Sequence, residues 1–406
     1  MEKIVIIGAG HGGVQVASSL RSEGFLGSIH LIAREPEFPY QKPPLSKDFL
    51  KGKIGEANLA FRSAGFYQKN NIDLELGVDV QEIDIKNQRV IAKSGKEHLF
   101  DQLILATGAD NRILQIEGSH LDGIHYLRTL ADAQTIKAKL AAAQKIAVVG
   151  GGFIGLELAA AAVVQGKDVT VIEAQDRLMA RVLPPLLTDV FQQEHEANGV
   201  KFHFSAFASS FEEKNGQATG VRLKSGSLIE ADLILVGIGV VPNTSLAETA
   251  NLDCDNGIVV NEFMQTSSPG IFSVGDCANH YNHFAGKRTR LESVQNAVDQ
   301  AKTVAKFITG NAEPYHAVPW FWTNQYQLKL QMAGFNTGFD EYVVRGNLDD
   351  KKFSICYYKD QKLIGADSLN KPSDHLGVRK LIQAGVSPDK DSIVDTTIKI
   401  KSLLPQ

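Results

Sequence analysis

Two short glycine runs are the residues whose types and spacing suggest chemistry most directly. The first is Gly8-Ala9-Gly10-His11-Gly12-Gly13 and the second is Gly150-Gly151-Gly152-Phe153-Ile154-Gly155, both in the pattern G-x-G-x-x-G. In this spacing the first glycine (Gly8, Gly150) permits a tight turn. The next (Gly10, Gly152) lets a pyrophosphate approach the backbone, and the last (Gly13, Gly155) lets a helix pack close to a strand. Free N–H groups at the helix start then face the phosphates. An acid belongs about 20 residues downstream, where it can accept from a ribose hydroxyl. Glu35 and Glu173 stand at those places. A carboxylate at 173 would repel the 2′-phosphate of NADP, so NADH is expected over NADPH. Arg177 could argue for NADPH, but it is read as a solvated surface arginine. Two nicotinamides have no chemistry to do together, whereas a flavin and a nicotinamide do, because hydride passes from one to the other.

The flanking elements suit this reading. Residues 3–7 and 145–149 are short, β-branched apolar runs, as expected of central parallel strands buried on both faces. Residues 14–22 and 156–165 have helical spacing, and residues 29–33 and 168–172 read as the next strands, ending beside the two acids. The fold class is therefore α/β with two Rossmann-like dinucleotide-binding domains. The chain has 406 residues, which suggests two or three domains. Its net charge of -4 offers nothing global to nucleic acid or to a membrane surface. The three cysteines, Cys254, Cys277 and Cys356, form no C-x-x-C pair, so neither a disulfide framework nor a zinc site is expected. No apolar run reaches the length of about 18 residues that a membrane span needs. The strand at residues 3–7 leaves no room for a targeting segment, and a soluble cytoplasmic protein is expected.

Several further motifs run nearly end to end along the chain. They are Pro39-Tyr-Gln-Lys-Pro-Pro-Leu-Ser-Lys47, Ala106-Thr-Gly108, Tyr126-Leu-Arg-Thr-Leu130, Val236-Gly-Ile-Gly-Val-Val-Pro-Asn243, Ile271-Phe-Ser-Val-Gly-Asp-Cys277, Arg290-Leu-Glu-Ser-Val-Gln-Asn296 and Pro319-Trp-Phe-Trp322. With these the sequence resembles the FAD-dependent NADH:ferredoxin reductases, the family of putidaredoxin reductase and the aromatic-ring dioxygenase reductase components. The resemblance implies a glutathione-reductase-like pair of domains and a small α+β C-terminal domain. It places the FAD domain at residues 1–110 and 238–310, and the NADH domain at 111–237. Residues 311–406 would pack on the flavin and contribute to ferredoxin docking.

The resemblance also assigns roles. Gly8, Gly10, Gly12, Gly13, Glu35, Lys42, Lys47, Val80, Ala106, Thr107, Gly108, Arg128, Asp276, Glu292, Val294 and Trp322 would contact FAD, with Asp276 on the ribitol. Gly150, Gly152, Phe153, Ile154, Gly155, Glu157, Glu173 and Gly237 would contact NADH. Lys47 and Glu157 look like the charged pair beside the flavin N5, and Trp322 like the aromatic on the ferredoxin side of the ring. Lys47, Glu157 and Trp322 are thus the catalytic candidates.

Three positions depart from the family pattern: Arg34 replaces a common Asp, Asp110-Asn111 replaces Arg-Pro, and Asn324 replaces Asp. The stretch of residues 35–47 has no cysteine, so electrons are expected to leave the flavin directly for a one-electron carrier, a [2Fe-2S] ferredoxin. Lys287, Arg288, Arg290, Lys371, Arg379 and Lys380 are expected to form a basic rim for an acidic partner. A monomer or weak dimer is expected. The alternatives are a rubredoxin reductase, a general NADH diaphorase, or a non-enzymatic NADH sensor resembling apoptosis-inducing factor.

Overall fold

The computed structural model describes residues 2–405. Its first sheet is parallel and centred on Lys3–Ile7, whose last four residues are all buried. Ser28–Ile32 and then Ile72–Glu75 lie on one side of it, and Gln102–Leu105 and then Ile271–Ser273 on the other. The last strand comes from far along the chain, so this layer is built from two separate stretches. Helix His11–Ser22 packs on one face beside helix Val294–Ile308. A meander of Val80–Asp84, Arg89–Ala92 and Glu97–Leu99 covers the other face.

The second sheet repeats the arrangement. Lys145–Val149 sits at its centre, between Asp168–Ile172 and Leu233–Val236, with Lys201–His203 and Ile124–Tyr126 at the edges. Even the register repeats: Lys3 opposes Ser28 as Lys145 opposes Asp168, and Ile7 opposes Ile32 as Val149 opposes Ile172. A short antiparallel pair, Ala109–Asn111 with Val240–Pro242, links the two units. The third unit is an antiparallel sheet in the order Trp320–Gln325, Leu328–Gly334, Lys362–Leu369, Lys352–Lys359, Glu341–Asn347, with helix Pro372–Gln383 against it. No helix among the described residues is long and apolar enough to cross a membrane.

Helix Phe153–Val163 has no polar face, and residues 155 to 162 are all buried. A helix that is apolar all round must be covered all round. Its own sheet covers it on one side, while the turn Pro43–Ser46 and strand Trp320–Gln325 meet it from the other two units. The helix therefore holds any polar side chain it carries at the junction of all three units, and Glu157 is that side chain.

Three histidines are sealed inside the protein. His195 joins the second and third units, with its ring nitrogens at 2.8 Å from Gln325 Oε1 and 3.0 Å from Tyr326 Oη. Desolvation pushes the pKa of His195, His280 and His375 down from 6.5 to about 4. Below pH 6.5 the unfolded chain takes up protons that the folded protein refuses until about pH 4. Stability is thus unaffected by these groups above pH 6.5 and falls as pH drops through that window. Each histidine is expected to cost on the order of 2 kcal/mol by about pH 5. Thermal denaturation should show a flat midpoint near neutrality and a steep acid decline, and His195→Gln should make the decline shallower.

Candidate active site

One cavity of about 1300 Å³ runs between the three units. It exceeds the upper end of about 1,000 Å³ usual for a single small ligand. Both glycine loops open onto it, and so does every residue named above as a FAD or NADH contact except Gly13 and Gly155. Those two lie behind the wall. A Cβ on Gly13 would stand 1.8 Å from Gly8 O, and one on Gly155 would stand 2.0 Å from Gly150 O. They set the approach of helix to loop rather than the surface of the cavity.

The loops are near-copies in backbone terms. Gly8 has φ +106 and Gly150 has φ +109, values that few side chains tolerate. Gly10 and Gly152 cap the following helices, and neither cap supplies a side-chain acceptor. The first-turn N–H groups are therefore left for an outside acceptor. No protein atom lies within 4 Å of where a Cβ would stand on either glycine, so the space there belongs to the cavity. An uncapped helix start facing open space is the surface a pyrophosphate needs.

Between the two loops stands a buried ionic group. Glu157 is 3% exposed. Its Oε2 accepts from Lys47 Nζ at 2.6 Å and from Ser46 Oγ at 2.5 Å, and its Oε1 accepts from Thr323 Oγ1 at 2.7 Å. Lys47 also donates to Pro43 O at 3.2 Å. One carboxylate thus receives donors from the first and third units while standing on the second. Trp320 and Trp322 follow on the wall with ring centroids 5.4 Å apart, and Phe153 packs on Phe321. Gln295 Oε1 accepts from the Trp320 backbone at 2.9 Å, which ties this strand to the first unit. No cysteine among the described residues lines the cavity. Cys277 and Cys356 are buried, and burial pushes the Cys356 thiol up to about 12.

Glu35 and Glu173, the two acids after the loops, have different settings. Glu35 accepts from Tyr40 Oη and from Lys42 Nζ, the latter at 2.8 Å. Burial and then Glu35 raise the Tyr40 phenol, and burial lowers Lys42. Glu173 accepts from Gly151 N at 2.5 Å and Gln175 N at 2.7 Å, so it braces the glycine loop from below. Farther along, Arg128 Nη2 lies 3.2 Å from Asp276 Oδ2 on the cavity wall.

Several residues behave differently from the sequence reading. Arg177 is half-buried and not solvated: it donates to Leu183 O and Ala180 O, which uses its guanidinium to hold a turn. Arg34 and Asp110, two separate departures from the family pattern, pair with each other at 3.2 Å. Asn324, the third departure, is exposed and lies off the cavity. The basic rim is thinner than expected. Arg288 stays exposed but is tied down by its bonds to Val260 O and Asn279 O, and the half-buried Arg290 donates to Asp276 O and pairs with Glu292. Arg379 sits over the Trp320 ring at 5.7 Å, and Lys371 faces Asp374. Lys287 and Lys380 remain exposed. His11 packs edge-on against Phe61, and burial, then Lys42 and Arg128, lower its pKa to about 4, so it is a neutral group at the loop.

Sequence reasoning missed Ser46, Thr323 and Tyr40 as partners of the site acids, and Asp367 on the wall. Asp367 accepts from Tyr357 Oη at 2.6 Å, and burial pushes its carboxyl up to about 7. Tyr40 and Ser46 lie inside the Pro39–Lys47 motif, but nothing in its spacing shows that they meet Glu35 and Glu157.

Comparison with known proteins agrees with this architecture. Residues 2–301 match the pyridine nucleotide-disulphide oxidoreductase family, and residues 320–404 match the Reductase C-terminal family. The rhodocoxin reductase of Rhodococcus erythropolis is 44% identical over 98% of this chain and 93% of its own. The rubredoxin-NAD(+) reductase of Pseudomonas putida is 42% identical over 91% of this chain and 96% of its own. The crystal structure of the ferredoxin reductase for the CYP199A2 system of Rhodopseudomonas palustris superposes with a TM-score of 0.96 at 39% identity, covering 99% of each chain. By the span of these matches, the chain belongs to the pyridine nucleotide-disulphide oxidoreductase family and, within it, to the reductases that carry the Reductase C-terminal domain.

Proposed function

We propose that this protein is a NADH:ferredoxin reductase. It would take hydride from NADH onto bound FAD and deliver single electrons to a [2Fe-2S] ferredoxin that feeds a cytochrome P450 or a ring-hydroxylating oxygenase. The observation that carries this reading is one cavity onto which both uncapped glycine loops and the Lys47–Glu157 pair open, with no cysteine among its lining residues. The division of labour follows the sheets: residues 1–110 and 238–310 for FAD, 111–237 for NADH, 311–406 for the aromatic cover.

Bound FAD would supply the conversion of a two-electron donor into a one-electron source, which no side chain performs. The chain's residues supply the rest. N–H groups of the first loop and helix start would hold the FAD pyrophosphate, Glu35 its ribose and Asp276 its ribitol. The second loop and Glu173 would hold NADH. Lys47 presents Nζ on the cavity wall, and Glu157 fixes its direction through Oε2. Trp322 and Trp320 would exclude water from the ring and leave an apolar path toward the third unit.

Purified protein should carry about one FAD per chain. NADH, and NADPH far less, should drive reduction of a [2Fe-2S] ferredoxin faster than of a rubredoxin. Absence of flavin after mild purification, or a rate faster with rubredoxin, would overturn the reading.

Glu173→Ala removes both the ribose acceptor and the brace under Gly151. It is expected to lower kcat/KM for NADH about 10–100-fold, or about 1.4–2.7 kcal/mol, and to shrink the preference over NADPH. Steady-state kinetics with both nucleotides checks this.

A further inference from the structure

We propose that His30, Glu75 and His98 form a binding site for a divalent metal ion of borderline softness, with zinc the best match to the donors. The site lies apart from the cavity. Its residues come from strands Ser28–Ile32, Ile72–Glu75 and Glu97–Leu99, where the first sheet meets the meander that covers it. None of the three lines the cavity wall.

Geometry gives the first argument. The three ligand atoms lie within 4.8 Å of one another. His30 Nε2 is 2.9 Å from Glu75 Oε2, and His98 Nε2 is 3.6 Å from the same oxygen. A tetrahedral zinc with bonds of about 2.0–2.1 Å sets neighbouring ligand atoms about 3.3–3.4 Å apart. The two edges to Glu75 bracket that value, and the two imidazole nitrogens lie within 4.8 Å of each other, so rotation of the side chains alone would close the site.

Hydrogen bonding gives the second. His30 Nδ1 lies 2.6 Å from Asp73 Oδ2, and the tautomer whose Nδ1 proton faces that carboxylate is the one a ligating histidine needs. In the neutral ring Nε2 then turns its lone pair toward Glu75, so two acceptors face each other. His98 is left unanswered in the same cluster. His98 is 8% exposed, and its Nε2 is buried without a hydrogen-bond partner while it points into the same cluster. Buried polar atoms with no partner are uncommon in folded proteins. A cation between the three residues satisfies both imidazoles and the carboxylate at once.

The outer groups are in place as well. A carboxylate on the far nitrogen of a ligating histidine fixes its ring and tautomer, and Asp73 stands there. Lys96 Nζ occupies Glu75 Oε1 at 2.7 Å and leaves Oε2 for a metal. Two imidazoles and one carboxylate suit zinc and its neighbours better than calcium or magnesium.

The test uses the flavin-loaded full chain without a polyhistidine tag, stripped by chelator and titrated with zinc by calorimetry. One zinc per chain is expected, with a higher melting temperature at saturation. His98→Ala should abolish the binding and leave NADH-driven electron transfer unchanged, and Asp73→Asn should weaken it about 10-fold. Copper(II) bound to the wild type should show coupling to two imidazole nitrogens by electron paramagnetic resonance, which decides the matter if the variants misfold. No saturable zinc binding, undiminished binding in His98→Ala, or a copper spectrum without imidazole coupling would each overturn the proposal.

Discussion

Lys47→Met is expected to slow flavin reduction by NADH about 10²-fold, the cost typical of removing one preorganised donor from a site where charge develops. The same change should lower stability by about 3 kcal/mol, since it leaves a buried carboxylate without its counter-charge. The Glu157 side chain is 2% exposed and the Lys47 side chain 16%, so solvent can screen neither well. Ser46 and Thr323 still donate to Glu157 in the variant, which keeps the loss below that of a wholly unpartnered ion. The two effects separate in the double variant Lys47→Met/Glu157→Gln. Removing both charges should restore most of the stability but little of the rate, because methionine brings no positive charge to the cavity wall. A coupling energy near zero in thermal denaturation of the four proteins of this cycle would sink the account. So would a double variant that recovers the rate, measured by stopped-flow bleaching of the flavin. Thr323→Val should cost only about 1 kcal/mol, the usual worth of one neutral donor to a buried acceptor.

The contrast between Glu157 and its partners shows what the sequence could and could not reveal. Strands flanked by glycine loops were legible because backbone geometry demands glycine at a tight turn and at close helix packing, whatever the tertiary context. The two central strands of each parallel layer follow from that grammar, while the outer strands do not. Glu157 was legible only through a family motif, since a glutamate on an apolar helix says nothing about who will meet it. Its partners Ser46 and Thr323 lie 111 and 166 residues away in sequence. They converge because the Phe153–Val163 helix is covered on every side, which is a property of packing and not of any local pattern. The same limit explains the charge errors. Arg177, Arg288 and Arg290 look solvent-bound in a string of residues, but each guanidinium finds backbone carbonyls that only the folded loops present. His30, Glu75 and His98 have no ligand spacing to read, because sheet pairing and the meander bring them together. Arg34 and Asp110 looked like two unrelated departures until the fold placed them side by side.

The glycine loops make the sharpest division between structure and function in the molecule. Gly13→Ala and Gly155→Ala put a methyl group 1.8 Å and 2.0 Å from a backbone carbonyl oxygen. No rotamer relieves a clash with backbone, and the oxygens belong to Gly8 and Gly150, whose positive φ leaves little freedom to move. Each is expected to cost about 4 kcal/mol or more and to yield little soluble protein. Gly10→Ala and Gly152→Ala differ from these by three residues and should fold normally, because no heavy atom beyond the adjacent residues lies within 4 Å of the added carbon. Their methyl groups instead enter the cavity at the two places where phosphate would sit. Overpacking of about 1–3 kcal/mol corresponds to about 10–100-fold in affinity. Gly10→Ala should therefore keep the melting behaviour of the flavin-free wild type and lose FAD on dilution. Gly152→Ala should keep its flavin and its photoreduced spectrum, and raise KM for NADH about 10–100-fold. If Gly152→Ala instead lost flavin while Gly10→Ala lost only NADH, the two loops would have to exchange ligands. Every assignment along the cavity, from Glu35 through Lys47 to Glu173, would then reverse with them.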